Sequence, residues 1–259
     1  MVKSKCLNKN HTGNASSIGL SPLACDLHIH SCLSPCADIL MTPGNIIKKA
    51  LQEELDIIAI ADHNAAGNVE VTMKLAEDTK LSILPAMEVE SSEEVHLLCY
   101  FDKLHALLEW EDIVRANLPE MMNDEETFGY QLITDENDEY IAKEDSLLAT
   151  ATGLTVKEIV DKVTVLDGIV VPSHLDRPYN SLLANLGFIP NDLELSLFEL
   201  SKNVDPDVFL NKFPFLNDYF YIVSSDSHYL DDIKSYLEID LYGDLPKRFK
   251  EILLEATKT

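Results

Sequence analysis

Histidines punctuate this chain in one recurring place. There are eight, and six fall in short motifs that mostly follow, or lie in, apolar runs readable as β-strands. The motifs are Asp26-Leu27-His28-Ile29-His30, Asp62-His63-Asn64, Glu94-Val95-His96, Ser173-His174-Leu175-Asp176-Arg177 and Asp226-Ser227-His228. Chance would scatter imidazoles evenly over helices and loops. Two histidines in x-His-x-His spacing on an extended segment project to the same side, because side chains alternate with period two. One divalent ion can then be gripped by both. A chain built this way has to bring several strand ends to one place.

The remaining pattern says how. Strands are expected at Ala24–His30, 56–61, 81–89, 95–101, 168–172, 195–200 and 220–224. Helices are expected between them, over 42–54, 68–79, 103–117, 155–166 and 245–256. Thr42-Pro43 opens the first, with proline in its first turn. Residues 118–152 break the alternation, being acidic with a hairpin signal around Asp135-Glu136-Asn137-Asp138. Residues 1–22 are polar and read as a flexible lead-in. Alternating strands and helices favour a parallel sheet or barrel, in which active sites lie at the C-terminal strand ends. His96 fits that rule less well because it begins its run, so an antiparallel turn is expected before it.

The clustered candidates are His28, His30, His63, Glu88, Glu90, His96, His174, Asp226 and His228. Imidazoles mixed with carboxylates suit Zn²⁺, Mn²⁺ or Fe²⁺ rather than Ca²⁺ or a thiolate centre. There are too many ligands for one ion, so two or three are inferred, with a shared carboxylate holding neighbours close. The bland reading applies residue by residue. A single strand-end histidine is more often a hydrogen-bonded structural residue than a ligand, and only the set points to metal. His11 and His105 read as ordinary. Cys32-x-x-x-Cys36 has no second pair and reads as two local cysteines. Arg177 reads either as an ion-pair partner of Asp176 or as a substrate contact.

Composition narrows the partners. The chain has 259 residues, enough for one large α/β domain or for two small ones, and a formal net charge of −25. Such an acidic surface repels phosphate backbones and disfavours duplex nucleic acid. It does not exclude a small phosphorylated substrate, since bound cations reverse the local field. Five cysteines without secreted spacing fit a reducing cytoplasm. No run reaches transmembrane length.

Taken in order, D-L-H-I-H-S at 26–31, I-A-I-A-D-H-N at 58–64, A-M-E-V-E at 86–90, E-V-H-L-L at 94–98, P-S-H at 172–174 and S-S-D-S-H at 224–228 resemble the PHP (polymerase and histidinol phosphatase) family. The resemblance covers roughly residues 24–102 and 168–230. It implies a distorted (β/α)7 barrel over 23–259, with an inserted, mostly helical subdomain at about 103–165, and a trinuclear centre. One ion would use His28, His30, Glu88 and Asp226. A second would use Glu88, His96 and His174. A third would use Asp38, His63 and His228, although the stretch Ser34–Asp38 spaces Asp38 further from the first motif than the family pattern does. Asp62 would orient neighbouring groups and Glu90 would stand outside the ligands. The implied chemistry is hydrolysis of a phosphomonoester by metal-activated hydroxide, with Glu88 bridging ions and Arg177 clamping the phosphate. The alternatives are a nuclease acting on 3′ ends, C–N hydrolysis, and a non-catalytic metal-binding module.

Overall fold

The computed structural model describes residues 5–6, 22–239 and 247–256. The lead-in expected over 1–22 otherwise lies outside the described residues. Within it, β1 (Lys5–Cys6) pairs in parallel with a later strand. The chain then runs through β2 (Leu23–Ile29), α1 (Pro43–Gln52), β3 (Ile57–Ile60), α2 (Val69–Ala76), β4 (Ser82–Glu90), β5 (His96–Tyr100) and α3 (Leu104–Arg115). There follow α4 (Glu125–Phe128), the strands β6 (Leu132–Thr134) and β7 (Tyr140–Lys143), α5 (Val156–Val165) and β8 (Ile169–Pro172). The last elements are α6 (Leu182–Leu186), β9 (Leu197–Ser201), α7 (Pro206–Lys212), β10 (Phe220–Ser224), β11 (Leu237–Ile239) and α8 (Lys247–Ala256).

The strands form a curled α/β sheet in two parts. The larger has the order β11-β2-β3-β4-β5-β8 and the smaller β1-β10-β9. Strands β2, β3 and β4 are mutually parallel, as are β9, β10 and β1. Strands β5, β8 and β11 join antiparallel, so the regular strand–helix alternation is interrupted. The parts meet where His30 N donates to Ser227 O at 2.9 Å and Leu175 N to Glu199 O at 2.8 Å. None of the helices among the described residues is long and apolar enough to cross a membrane.

Two apolar layers follow from the period-two alternation. Cys25, Leu27, Ile57, Ala59, Ala61, Leu84, Ala86, Leu98, Tyr100, Val171 and Ile222 face inward. Phe249, Ile252 and Leu253 of α8 pack into the same cluster. The outward faces carry Ile58, Ile60, Met87, Val89, Leu97 and Cys99, covered by the helices. Helix α3 contributes Leu107, Trp110 and Val114 to that layer, and α5 contributes Ile159, Val160 and Val163. These two helices therefore belong to the sheet's own packing and not to an insertion. What lies between them, about 117–153, is the four-residue α4, the β6–β7 hairpin and loops, and is not mostly helical.

Candidate metal centre

Several inward strand lines end in a titratable residue. On β3, the line Ile57, Ala59, Ala61 continues to His63. On β4, Leu84 and Ala86 continue to Glu88. On the antiparallel β5, the line runs back from Tyr100 through Leu98 to His96, which pairs with Glu90 across the hairpin. That hairpin is why His96 reaches this end while starting its strand. On β2, Leu27 lies in the inner cluster and Ile29 in the outer one. The register against β3 shifts between Asp26 and Ile29, which is a bulge. The extra residue reverses the parity, and both His28 and His30 project inward.

Glu88 is the hub. It is 1% exposed, and its two oxygens face five imidazoles. Oε1 is 3.2 Å from His96 Nδ1, 3.4 Å from His174 Nε2 and 3.5 Å from His28 Nε2. Oε2 is 3.1 Å from His63 Nδ1 and 3.5 Å from His30 Nε2. Asp226 Oδ1 stands 3.2 Å from His30 Nε2 and 3.5 Å from His28 Nε2. Three overlapping groups have ligand atoms within 4.8 Å of one another: His30, His63 and His228; His28, His30 and Asp226; His63, Glu88 and His96.

The donor set fits divalent cations. His28 Nε2 and His30 Nε2 are 3.1 Å apart, two ring nitrogens that repel as lone pairs unless a proton or a cation lies between. Glu88 Oε1 and His96 Nδ1 are buried and, although 3.2 Å apart, are not aligned in a hydrogen bond with each other or with any other group, which is costly for groups of this polarity. Charge tells the same story. Burial raises the Glu88 carboxyl, but the His96 and His28 imidazoles outweigh it and hold it well below the usual carboxylate range. Burial, with the charges of His228 and His63, drives His30 well below its ordinary value. Burial alone would lower His28, yet Glu199, Glu88 and Asp226 raise it well above. A cation relieves this conflict by taking the place of shared protons.

Outer contacts aim the imidazoles. His28 Nδ1 lies 3.1 Å from both oxygens of Glu199, leaving Nε2 free for the centre. Glu199 Oε2 also accepts from His174 N at 3.0 Å. His30 Nδ1 is 2.8 Å from Ser34 Oγ, which donates to Asp62 at 2.6 Å, and Asp62 further accepts from Ser31. His96 Nε2 meets the Asn180 amide at 3.1 Å and lies 3.7 Å from Glu90. Such carboxylate–imidazole pairs set tautomer and orientation at metal sites. His174 and Asp226 sit at φ 29° and 48°. Left-handed backbone in residues other than glycine is uncommon and concentrates at functional sites.

Most residues expected from the sequence converge here. Asp38 does not. Its Oδ1 accepts from Leu40 N at 2.8 Å, and among the described residues it makes no ion pair with a histidine. Cys36 takes that side instead, with Sγ 3.1 Å from His228 Nε2. Arg177 does not pair with Asp176, which accepts from Ser201 N and Oγ. It pairs with Asp226 Oδ2, leaving Oδ1 toward the histidines. Glu199 and Asn180 were not foreseen. A glutamate in the middle of the apolar Leu197–Ser201 run was the available signal for the first. Asn180 had none.

No protein-family model matches the sequence, and no curated protein matches it. Solved structures do. The lesion-specific endonuclease PfuEndoQ from Pyrococcus furiosus superposes with TM-score 0.63 at 21% identity, over 81% of this chain and 49% of that one. This chain thus spans about half the length of that endonuclease. A provisionally assigned metal-dependent phosphoesterase from Bifidobacterium adolescentis matches with TM-score 0.59 and 17% identity, over 91% of this chain and 98% of its own. An amidohydrolase from Chromobacterium violaceum, solved with sulfate, matches with TM-score 0.58 and 17% identity, over 90% and 96%. The chain therefore shares the α/β fold of these hydrolases, among which is the metal-dependent phosphoesterase type that its histidine motifs resemble.

Proposed function

We propose that this chain is a metal-dependent phosphoesterase, built on a distorted (β/α)7 barrel, that hydrolyses a small phosphorylated metabolite. The observation that carries the reading is the buried Glu88 ringed by five imidazoles at one end of the strands. The ligands would be His28, His30, His63, Glu88, His96, His174, Asp226 and His228, holding two or three Zn²⁺, Mn²⁺ or Fe²⁺ ions. When bound, such ions polarise phosphoryl oxygens and lower the pKa of water toward neutrality.

The chain's own groups supply the rest. Glu88 offers both oxygens to neighbouring imidazole sets, so one carboxylate fixes their spacing. Glu199 holds the proton of His28 at Nδ1, and Ser34 that of His30, keeping both Nε2 lone pairs directed inward. Arg177 has a side chain 33% exposed beside the buried Asp226, where its planar fork can donate to phosphoryl oxygens. The hairpin lobe at about 117–153 borders the loop that carries Cys36 and would shape substrate choice.

A second reading, cleavage of nucleic-acid phosphodiesters, is favoured by the likeness to a lesion-specific endonuclease. The net charge of −25 weighs against it. One experiment separates them. Metal per chain is measured on anaerobically purified protein, and the same sample is assayed on phosphomonoesters, phosphodiesters, single-stranded DNA and a duplex with an abasic lesion. Turnover of a phosphomonoester, lost with most of the metal in His28→Ala and Asp226→Ala, is expected. Cleavage of DNA alone moves the assignment to the second reading. Absence of metal, or full activity in either variant, overturns the metal centre.

A further inference from the structure

Beside His63 and His228 the sequence pattern called for a carboxylate, and the structure puts a sulfur there. Cys36 Sγ lies 3.1 Å from His228 Nε2, and His228 shares with His63 and His30 a group of ligand atoms within 4.8 Å of one another. His228 Nδ1 lies 3.0 Å from the carbonyl of Asp226, so Nε2 is the ring atom available to a ligand or a cation. His63 in turn contacts Glu88 through Nδ1 at 3.1 Å. Two imidazoles and a thiol therefore meet on the solvent side of the buried hub, and Cys36 is exposed.

The loop that places Cys36 is braced from several directions. Cys32 N donates to Met41 O and Leu132 N to Cys32 O, both at 2.8 Å. Asp38 N donates to His228 O at 2.9 Å. Gly129, at φ 102°, presses so closely on the Pro35 carbonyl that a Cβ there would stand 2.1 Å from it. Asp38 closes its own turn through Leu40 N. The backbone of Asp38 thus tethers the loop to His228, while the side chain presented to the imidazoles is that of Cys36.

We propose that Cys36, and not Asp38, completes the ligand set around His63 and His228, making the outermost cation site a mixed thiolate–imidazole site. This rests on the metal reading of the centre given above. A sulfur among nitrogens favours borderline-soft cations such as Zn²⁺ and Co²⁺ over Mn²⁺ or Mg²⁺. The outermost site would then differ in preference from the inner ones, which offer imidazole and carboxylate only. It also replaces the reading of Cys32 and Cys36 as two local cysteines, since Cys32 Sγ points away to the Leu132 carbonyl at 3.6 Å.

The test uses the full chain, stripped of metal and titrated with Co²⁺ alone. A cobalt–thiolate bond gives a near-ultraviolet charge-transfer band that nitrogen and oxygen ligands do not give. Wild type is expected to show the band and Asp38→Asn to keep it. Cys36→Ser is expected to lose it, with one ion fewer per chain or an outermost affinity weaker by at least about 10-fold. Cys36→Asp should restore the ion without the band, which separates lost ligation from lost folding. Cobalt bound by wild type without the band, or a band that survives Cys36→Ser, overturns the assignment of Cys36 and leaves the inner centre standing. Wild type that binds no cobalt overturns the metal centre itself.

Discussion

At the scale of single residues, the centre depends as much on the groups behind the imidazoles as on the imidazoles. Glu199 touches no position where substrate would sit, yet it contacts His28 Nδ1 and accepts from the backbone of His174. Glu199→Gln keeps the shape but can no longer carry the charge that favours His28 as a donor at Nδ1. Metal affinity should fall about 10–100-fold with the fold retained; unchanged affinity in a competition titration would remove Glu199 from the centre. The paired motifs at 26–30 and 226–228 were legible because imidazoles and carboxylates in apolar strands have few structural uses. Cys36 was not, because a cysteine's role is decided by what it faces. A single residue, Ala37, separates it from the aspartate that the pattern favoured.

At the scale of elements, the hairpin lobe is held to the body by few charged contacts. Arg115 on α3 reaches Glu144 at 2.7 Å, and Ser146 N donates to the same carboxylate at 3.1 Å. Burial raises the Glu144 carboxyl, but the Arg115 hydrogen bond and the Ser146 amide outweigh it and lower its pKa. The folded state therefore binds that proton less tightly than the unfolded chain. The stabilisation is complete above the unfolded value of about 4.3 and is lost as pH falls through the lower folded value. Because Arg115 is half exposed, Glu144→Gln should cost only about 0.5–1 kcal/mol at neutral pH. Denaturant curves for the two proteins should converge below about pH 4; a constant difference would show that packing, not charge, is responsible. The helices flanking this lobe were readable from their apolar periodicity. Their membership of the sheet's own layers was not, because a covering helix and an inserted one carry the same stripe.

At the scale of the molecule, one end of the strand assembly collects six imidazoles and the carboxylates of Glu88 and Asp226, while Phe249, Ile252 and Leu253 of α8 pack into the inner apolar cluster. Without cations the polar end holds buried nitrogens and oxygens that lack partners. Bound ions should therefore stabilise the whole fold. At a free concentration about 100-fold above Kd, the gain is about 2.7 kcal/mol per ion. Chelation should lower the melting temperature by about 5–10 °C for each ion removed, reversed by adding metal back; calorimetry that shows no shift would mean the centre is not loaded.

The main alternation of strands and helices, and the titratable residues that end or follow β2, β3, β4 and β10, were legible in the sequence. They depend on local periodicity and on side-chain type, which a linear chain carries explicitly. The meeting of β10 with β2, the parity change at the bulge after Asp26, the turn of Arg177 toward Asp226, and the approach of Cys36 to His228 were decided only in three dimensions. Each of these sets which of several chemically plausible partners lies within about 3 Å, the distance at which hydrogen bonds and metal ligation act. That choice is made by long-range packing and strand register, for which neighbouring residues hold no record.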